Sequence, residues 1–268
     1  MGERLKDKVA LITGGGQGIG KAIAKAFVRE GAKVALAART VANLEKTMEE
    51  LKAAGGDVIA VPTDITVEQQ VIDMVPKVLA AFGKIDILVN NSGIGGPVCN
   101  VVDMKLDEWN YSFAVDLTGS MLCAREVLKH MIPRKAGNII NLGAEGGRSG
   151  DGRSGYPTRA AYCCAKMGVI GLTETLAQEV GEYGIRVNCL SAAAVNGERF
   201  KWVISTRAKT SGTTFEETLT REMTNYSLKR PAEEYELANT CVFLASDEGS
   251  AITGQTIIAH CGQHISFK

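Results

Sequence analysis

Short aliphatic runs alternate with longer amphipathic stretches along the whole chain. Residues 9–12 (Val-Ala-Leu-Ile) read as a strand and 20–30 as a helix ended by Gly31. Strand 34–38, helix 43–54, strand 58–61 and helix 68–82 follow. Pro76 falls inside that third helix and predicts a kink or a late start. Residues 85–89 give a fourth strand, and a long helix is expected over 106–131, stopping before Pro133. Strand 138–142, helix 160–183, strand 185–190, helix 232–244 and strand 255–259 complete the alternation. Continuous aliphatic strands separated by long helices predict an α/β fold with a parallel sheet covered on both faces. Right-handed crossovers make the sheet doubly wound, with ligands beyond its C-terminal strand ends. Two stretches break the rhythm, 143–159 and 192–230. Interruptions of that length in a compact domain carry function.

Composition narrows the partners. Thirty Lys and Arg balance thirty Asp and Glu, so nucleic acid and anionic membranes are not expected. No apolar run approaches the ~18 residues of a membrane span. The first eight residues are charged and lack the apolar centre of a signal peptide. Seven cysteines, an odd number without a C-x-x-C pair, read as small buried hydrophobes in a reducing, cytoplasmic setting. His130, His260 and His264 are isolated, so no metal site is expected.

The chemistry gathers at strand ends. The first strand runs into Thr13-Gly14-Gly15-Gly16-Gln17-Gly18-Ile19-Gly20. A helix starting there points its free N–H groups and its dipole at whatever sits above the turn, and a pyrophosphate suits that place. The spacing is G-x-x-x-G-x-G, not G-x-G-x-x-G.

This T-G-x-x-x-G-x-G form resembles the short-chain dehydrogenase/reductase family, and the resemblance continues in order along nearly the whole chain. Asp64 and Ile65 follow the third strand, where the family reads adenine. Asn90-Asn91-Ser92-Gly93 resembles the family's N-N-A-G. Tyr162-Cys163-Cys164-Ala165-Lys166 resembles its Y-x-x-x-K, and Arg186-Val187-Asn188 and Ile252-Thr253-Gly254-Gln255 also match. The resemblance implies one Rossmann-like domain over 1–268, with a substrate lid at about 192–230. It implies a homodimer or homotetramer paired through the helices 106–131 and 160–183. Met121, Leu122, Val169, Leu172 and Leu176 spread apolar character over more than one stripe of these helices. The reaction implied is hydride transfer between a nicotinamide dinucleotide and a secondary alcohol or ketone. The cofactor set is then Gly14, Gln17, Gly18, Ile19, Arg39, Thr40, Asp64, Ile65, Asn91, Ser92, Gly93, Tyr162, Lys166 and Val195.

The second strand ends in Ala37-Ala38-Arg39-Thr40, with no acid to accept the ribose hydroxyls of NAD(H). Arg39 offers a planar fork for a 2′-phosphate, so NADP(H) is expected over NAD(H). Tyr162 and Lys166, four apart, share a helix face. The ammonium and an oxidised nicotinamide are expected to lower the phenol and fit it for acid–base work.

Four positions depart from the family. Its catalytic Ser is Ala144 here, and Ser149 or Ser154 on the longer following loop are the candidates to replace it. Its helix Asn is Asp116, expected to pair with Lys166 if buried. Ala192-Ala193 stands for P-G after the sixth strand, and Ala259-His260-Cys261-Gly262 for V-D-G-G. The catalytic set carried forward is therefore Tyr162, Lys166, Asp116 and Ser149. The losses leave a second reading, a cofactor-binding protein with weak or no catalysis. A related lyase or isomerase using the same phenol is a minor third. Arg199, Lys201, Arg207 and Lys209 crowd the lid, and Arg148, Arg153 and Arg159 precede Tyr162. With Phe200 and Trp202 among them, an acidic alcohol or ketone is the expected substrate.

Overall fold

The computed structural model describes residues 2–144, 155 and 157–263. Seven parallel strands form one sheet: β1 (Val9–Thr13), β2 (Lys33–Ala38), β3 (Val58–Pro62), β4 (Ile87–Asn90), β5 (Gly137–Ala144), β6 (Ile185–Ala192) and, in sheet position only, β9 (Thr256–Ala259). Their spatial order is β3-β2-β1-β4-β5-β6-β9. The chain winds outward from β1 to β3 and returns to lay β4 beside β1, so the order reverses between β1 and β4.

Alternation along each strand feeds two cores. Ala10 and Ile12 of β1, Val34 and Leu36 of β2, and Ile87 and Val89 of β4 face one side. There they meet α1 (Gly18–Arg29), α2 (Val41–Ala53) and α9 (Glu234–Ala245). Val9, Leu11, Ala35, Ala37 and Leu88 face the other side. They meet α3 (Glu68–Phe82), α5 (Gly119–Arg134) and α6 (Ala160–Val180). Burial on both faces is why these strands are aliphatic without a polar alternate.

Several expected boundaries move. α3 begins at Glu68 and continues through Pro76, which removes one helical hydrogen bond and crowds the carbonyl one turn back. The long central helix is two: α4 (Leu106–Phe113) and α5, joined by a π-helical turn, Ala114–Thr118. α5 includes Pro133 and ends one residue later, where Lys135 turns left-handed at φ 50°. A proline in the last turn removes one hydrogen bond near a frayed end, so the helix tolerates it. The segment 192–230 is largely helical: α7 (Glu198–Ser211) buries Ile204 and Ala208, and α8 (Phe215–Met223) starts on a Thr214–Glu217 capping box. Ala232 and Glu233, expected to open the last helix, form β8 instead and pair with β7 (Val195–Asn196). Met121 and Leu176 pack against the chain's own core, which weakens the two-stripe argument for a partner. None of the seven cysteines forms a disulfide; Cys123, Cys163, Cys189 and Cys241 are buried, whereas Cys164 is exposed. No helix among the described residues is long and apolar enough to cross a membrane.

Candidate active site

A cleft of about 900 Å³ opens over the C-terminal ends of the strands, where the order reverses. The glycine turn forms its floor, and each glycine is there for a separate reason. Gly14 and Gly18 are left-handed, at φ 66° and 54°. A Cβ on Gly20 would collide with the Gly14 carbonyl. The Gly14 N–H donates to Ala37 O at 2.7 Å, which ties the turn to β2. No side chain caps α1, and Gln17 accepts from Asn43 Nδ2 at 3.0 Å instead. An uncapped helix start over a glycine cradle fits a pyrophosphate. Glu234 also reaches this wall, 3.7 Å from a Cβ built on Gly18, with its carboxyl pushed up by burial and by Glu233. Neighbouring Glu233 in the sequence gave no signal that Glu234 belongs to the cleft.

At one end of the cleft stand Arg39, Thr40, Asp64 and Ile65. Arg39 donates to the Tyr111 hydroxyl at 2.6 Å and lies 3.8 Å from Asp64 Oδ2. Asp64 Oδ1 accepts from both the N–H and the hydroxyl of Thr66, at 2.9 and 2.7 Å, so it holds its own loop. Ile65 is buried against Gly119.

The Asn91-Ser92-Gly93 loop crosses the middle of the cleft. Thr13 Oγ1 accepts from the N–H groups of Asn91 and Ser92, at 3.0 and 3.1 Å. Asn91 Nδ2 donates to Thr13 O at 2.9 Å. These bonds fasten β4 to the glycine turn, so Asn91 shapes the cleft with its amide already engaged. Behind it, a buried chain runs from Asn90 Nδ2 to Asn141 Oδ1, and from Asn141 Nδ2 to Thr173 Oγ1, each at 2.9 Å.

At the other end, Tyr162 on α6 lines the cleft with Gly143 and Ala144. Lys166, one turn on, lies behind the wall, where its Nζ donates to Leu142 O at 3.0 Å and sits 3.6 Å from Asp116 Oδ1. The expected Asp116–Lys166 pair is therefore present. Asp116, in the π-helical turn, is wholly buried. Its Oδ1 accepts the Ile94 N–H at 2.9 Å, and its Oδ2 has no partner among the described residues. Burial pushes its carboxyl above the usual range, against Lys166, the Ile94 N–H and Arg199. Gly93 is needed here because a Cβ would lie 2.7 Å from Asp116 Oδ1.

The phenol departs from expectation. Burial pushes Tyr162 up to about 12. Arg199 and Arg159 pull it down and Asp116 pushes it up, while Lys166 is held by its own partners. Arg159 lies over the Tyr162 ring, 5.0 Å from its centroid.

The basic run at 199–209 resolves into separate placements. Arg199, Phe200 and Lys201 line the cleft, and so does Val195. Arg207 pairs with Glu222 at 2.6 Å, and Lys201 with Glu198 at 3.6 Å, so acids offset part of the run. Trp202 is 67% exposed and does not cover the cleft. Ala144 carries no hydroxyl to the site, and Ser149, Ser154, Arg148 and Arg153 lie outside the described residues.

The family model for short chain dehydrogenase matches residues 8–207. The 3-oxoacyl-(acyl-carrier-protein) reductase of Staphylococcus epidermidis is 34% identical over 260 residues, covering 97% of this chain and 100% of that one. A crystal structure of NAD+-bound xylitol dehydrogenase superposes with a TM-score of 0.88 at 29% identity, over 95% of this chain and 98% of that one. An actinorhodin polyketide ketoreductase solved with NADPH gives 0.89 at 28%, over 98% of each. Likeness of this extent in both sequence and fold makes the chain a member of the short-chain dehydrogenase family of oxidoreductases.

Proposed function

We propose that the protein interconverts a secondary alcohol and a ketone, with NADP(H) preferred over NAD(H) and Tyr162 as the acid or base. The observation that carries this is Tyr162 on the cleft wall, beyond the glycine cradle, with Lys166 anchored one helical turn behind it. Bound nicotinamide supplies or removes the hydride. Tyr162 gives the proton to the carbonyl oxygen in reduction and takes it from the alcohol in oxidation. A phenol near 12 stays protonated at neutral pH, which suits the reducing direction. Lys166, held by Leu142 O and Asp116 one helical turn from Tyr162, is the proposed source that returns the proton to the phenol. The segment 192–230 serves as the lid, and its Val195 and Arg199 are already on the cleft. The whole chain works as one domain in a cytoplasmic homodimer or homotetramer, which light scattering at micromolar concentration checks.

A second reading, cofactor binding with little turnover, is favoured by Ala144 in place of a hydroxyl donor and by the Asp116–Lys166 pair. A screen of ketones and alcohols with NADPH, NADH and their oxidised forms separates the two. Substrate-dependent change in reduced-nicotinamide absorbance supports the oxidoreductase. Tight cofactor binding without turnover across the panel supports the second reading.

A further inference from the structure

Next to Tyr162, two arginines from different elements meet at one point. Arg159 precedes α6 and Arg199 lies in the first turn of α7. A Cβ built on Gly95 would collide with Nη2 of Arg199 and lie 3.2 Å from Nη2 of Arg159. A side chain at position 95 would push the two guanidiniums apart, whereas glycine lets both close over the loop. Two fixed positive charges this near repel one another. Neither has an ion-pair partner among the described residues: Asp116, the acid that Arg199 reaches electrostatically, is held by Lys166 and the Ile94 N–H. The Nε of Arg159 is buried and has no hydrogen-bond partner among the described residues. A buried, unmatched guanidinium donor is costly unless an acceptor completes it.

We propose that Arg159 and Arg199 clamp a carboxylate beside Tyr162, so that the substrate is a short oxo acid or the matching hydroxy acid. This rests on the alcohol–ketone reading and supplies its substrate class. Guanidinium forks match the planar carboxylate with paired hydrogen bonds. Arg159 lies over the Tyr162 ring, 5.0 Å from its centre, which sets a clamped carboxylate beside the phenol. A 2-oxo or 3-oxo acid carries its carbonyl close to that carboxylate. The carboxylate takes no part in the bond changes; it fixes the carbonyl against the phenol and so does positioning work that Ala144 cannot do. Arg199 lines the cleft, so the clamp is reached from the side where the substrate enters.

The test uses pyruvate, 2-oxobutyrate and acetoacetate, each against its methyl ester, with NADPH and NADH. The expected result is that kcat/KM for at least one acid exceeds that of its ester by about tenfold or more, with the ratio falling as salt rises. Arg199→Gln and Arg159→Gln each bring the ratio down to about threefold or less, with Kd for NADPH within about twofold of the parent. Arg199→Lys keeps the charge without the fork and falls between. Calorimetry on NADP+-loaded Tyr162→Phe provides a readout that needs no turnover: it binds the acids, and adding Arg199→Gln removes that binding. Circular dichroism confirms that each variant is folded. Esters turned over as well as acids, a ratio that survives both substitutions, or acids that fail to bind the loaded protein would each overturn the clamp. A loss of NADPH affinity in both variants as large as the loss for the acid would reassign the arginines to the cofactor and also overturn it. Failure of the alcohol–ketone reading looks different: acids bind the loaded protein through the arginines, but no carbonyl compound, acid or ester, is reduced.

Discussion

The two ends of one cleft are built on opposite principles. At the glycine turn the loop is held by neighbours, Gly14 by Ala37, Asn91 by Thr13 and Gln17 by Asn43, and only the start of α1 stays uncapped. At the Tyr162 end, charged groups keep unmatched atoms. Among the described residues, one oxygen of buried Asp116 and a buried donor of Arg159 have no partner, and burial outweighs the arginines at the phenol. The first region is a rigid receptacle whose shape the backbone sets. The second holds an electrostatic imbalance, and it is there that the proposed proton transfer and carboxylate clamp sit. A family motif describes the first region well because glycines and short hydrogen bonds tolerate little change. It describes the second poorly because the same catalytic tyrosine can be served by different neighbours.

The largest expected effect separates the two ends cleanly. Tyr162→Phe removes one hydroxyl and leaves the glycine turn untouched. Turnover should fall ~100-fold or more, as for other general acids. Cofactor Kd, read by fluorescence titration, should stay within about twofold. Residual turnover above about a tenth of the parent would place the acid elsewhere and break the contrast.

Legibility followed the same divide. Strand and helix order was readable because aliphatic runs buried on both faces leave a strong periodic signal, as in β1 and β2. Local breaks were not readable: the π-helical turn at Ala114–Thr118 has an ordinary helical sequence, and the α7–α8 segment buries only a few residues, such as Ile204, Ala208 and Met223. The glycine turn, Asp64 and Tyr162 are legible as cleft residues, whereas Lys166, expected beside them, lies behind the wall. The convergence of Arg159 and Arg199 is not legible, because it depends on Gly95, to which no motif drew notice. The surroundings of the phenol are hidden for a related reason: the sequence places a lysine four residues from Tyr162, but only the fold shows that Lys166 directs its charge at Leu142 and Asp116.

The next effect sharpens the satisfied end. Arg39 uses one nitrogen on Tyr111 and approaches Asp64, and its side chain is 52% exposed at the cleft. NADPH should bind more tightly than NADH. Arg39→Ala should lose roughly 1.5–3 kcal/mol for NADPH, about tenfold or more in Kd, and little for NADH. Equal constants for the two cofactors in the parent, or unchanged discrimination in the variant, would remove the NADP(H) preference.

A pH series then probes the charged end. Because burial holds Tyr162 near 12, the phenol is the dominant species through neutral pH. Reduction should keep its rate from about pH 6 to about pH 9, whereas oxidation, which needs the phenolate, should climb by up to tenfold per pH unit. An oxidation rate that levels off near neutrality would show that the bound cofactor has pulled the phenol well below its resting value.

The smallest effect concerns Asp116, where two consequences of one charge can be told apart. Its carboxyl lies above the usual range, so the folded state holds the proton more tightly than the unfolded chain does. That contribution to stability is complete at low pH and is lost as pH rises through the folded value. Asp116→Asn removes the pH-dependent loss, keeps an acceptor for the Ile94 N–H and supplies donors for the unmatched side. The variant should gain on the parent as pH rises through the folded value of the Asp116 carboxyl, visible as diverging thermal midpoints. The same charge also raises Tyr162 and occupies Lys166. Its removal should lower the phenol, free the ammonium and raise turnover by about two- to fivefold. A tenfold loss of turnover with a lower thermal midpoint at every pH would mean that the carboxylate is needed to hold Lys166, and that the imbalance at this end supports the site instead of burdening it.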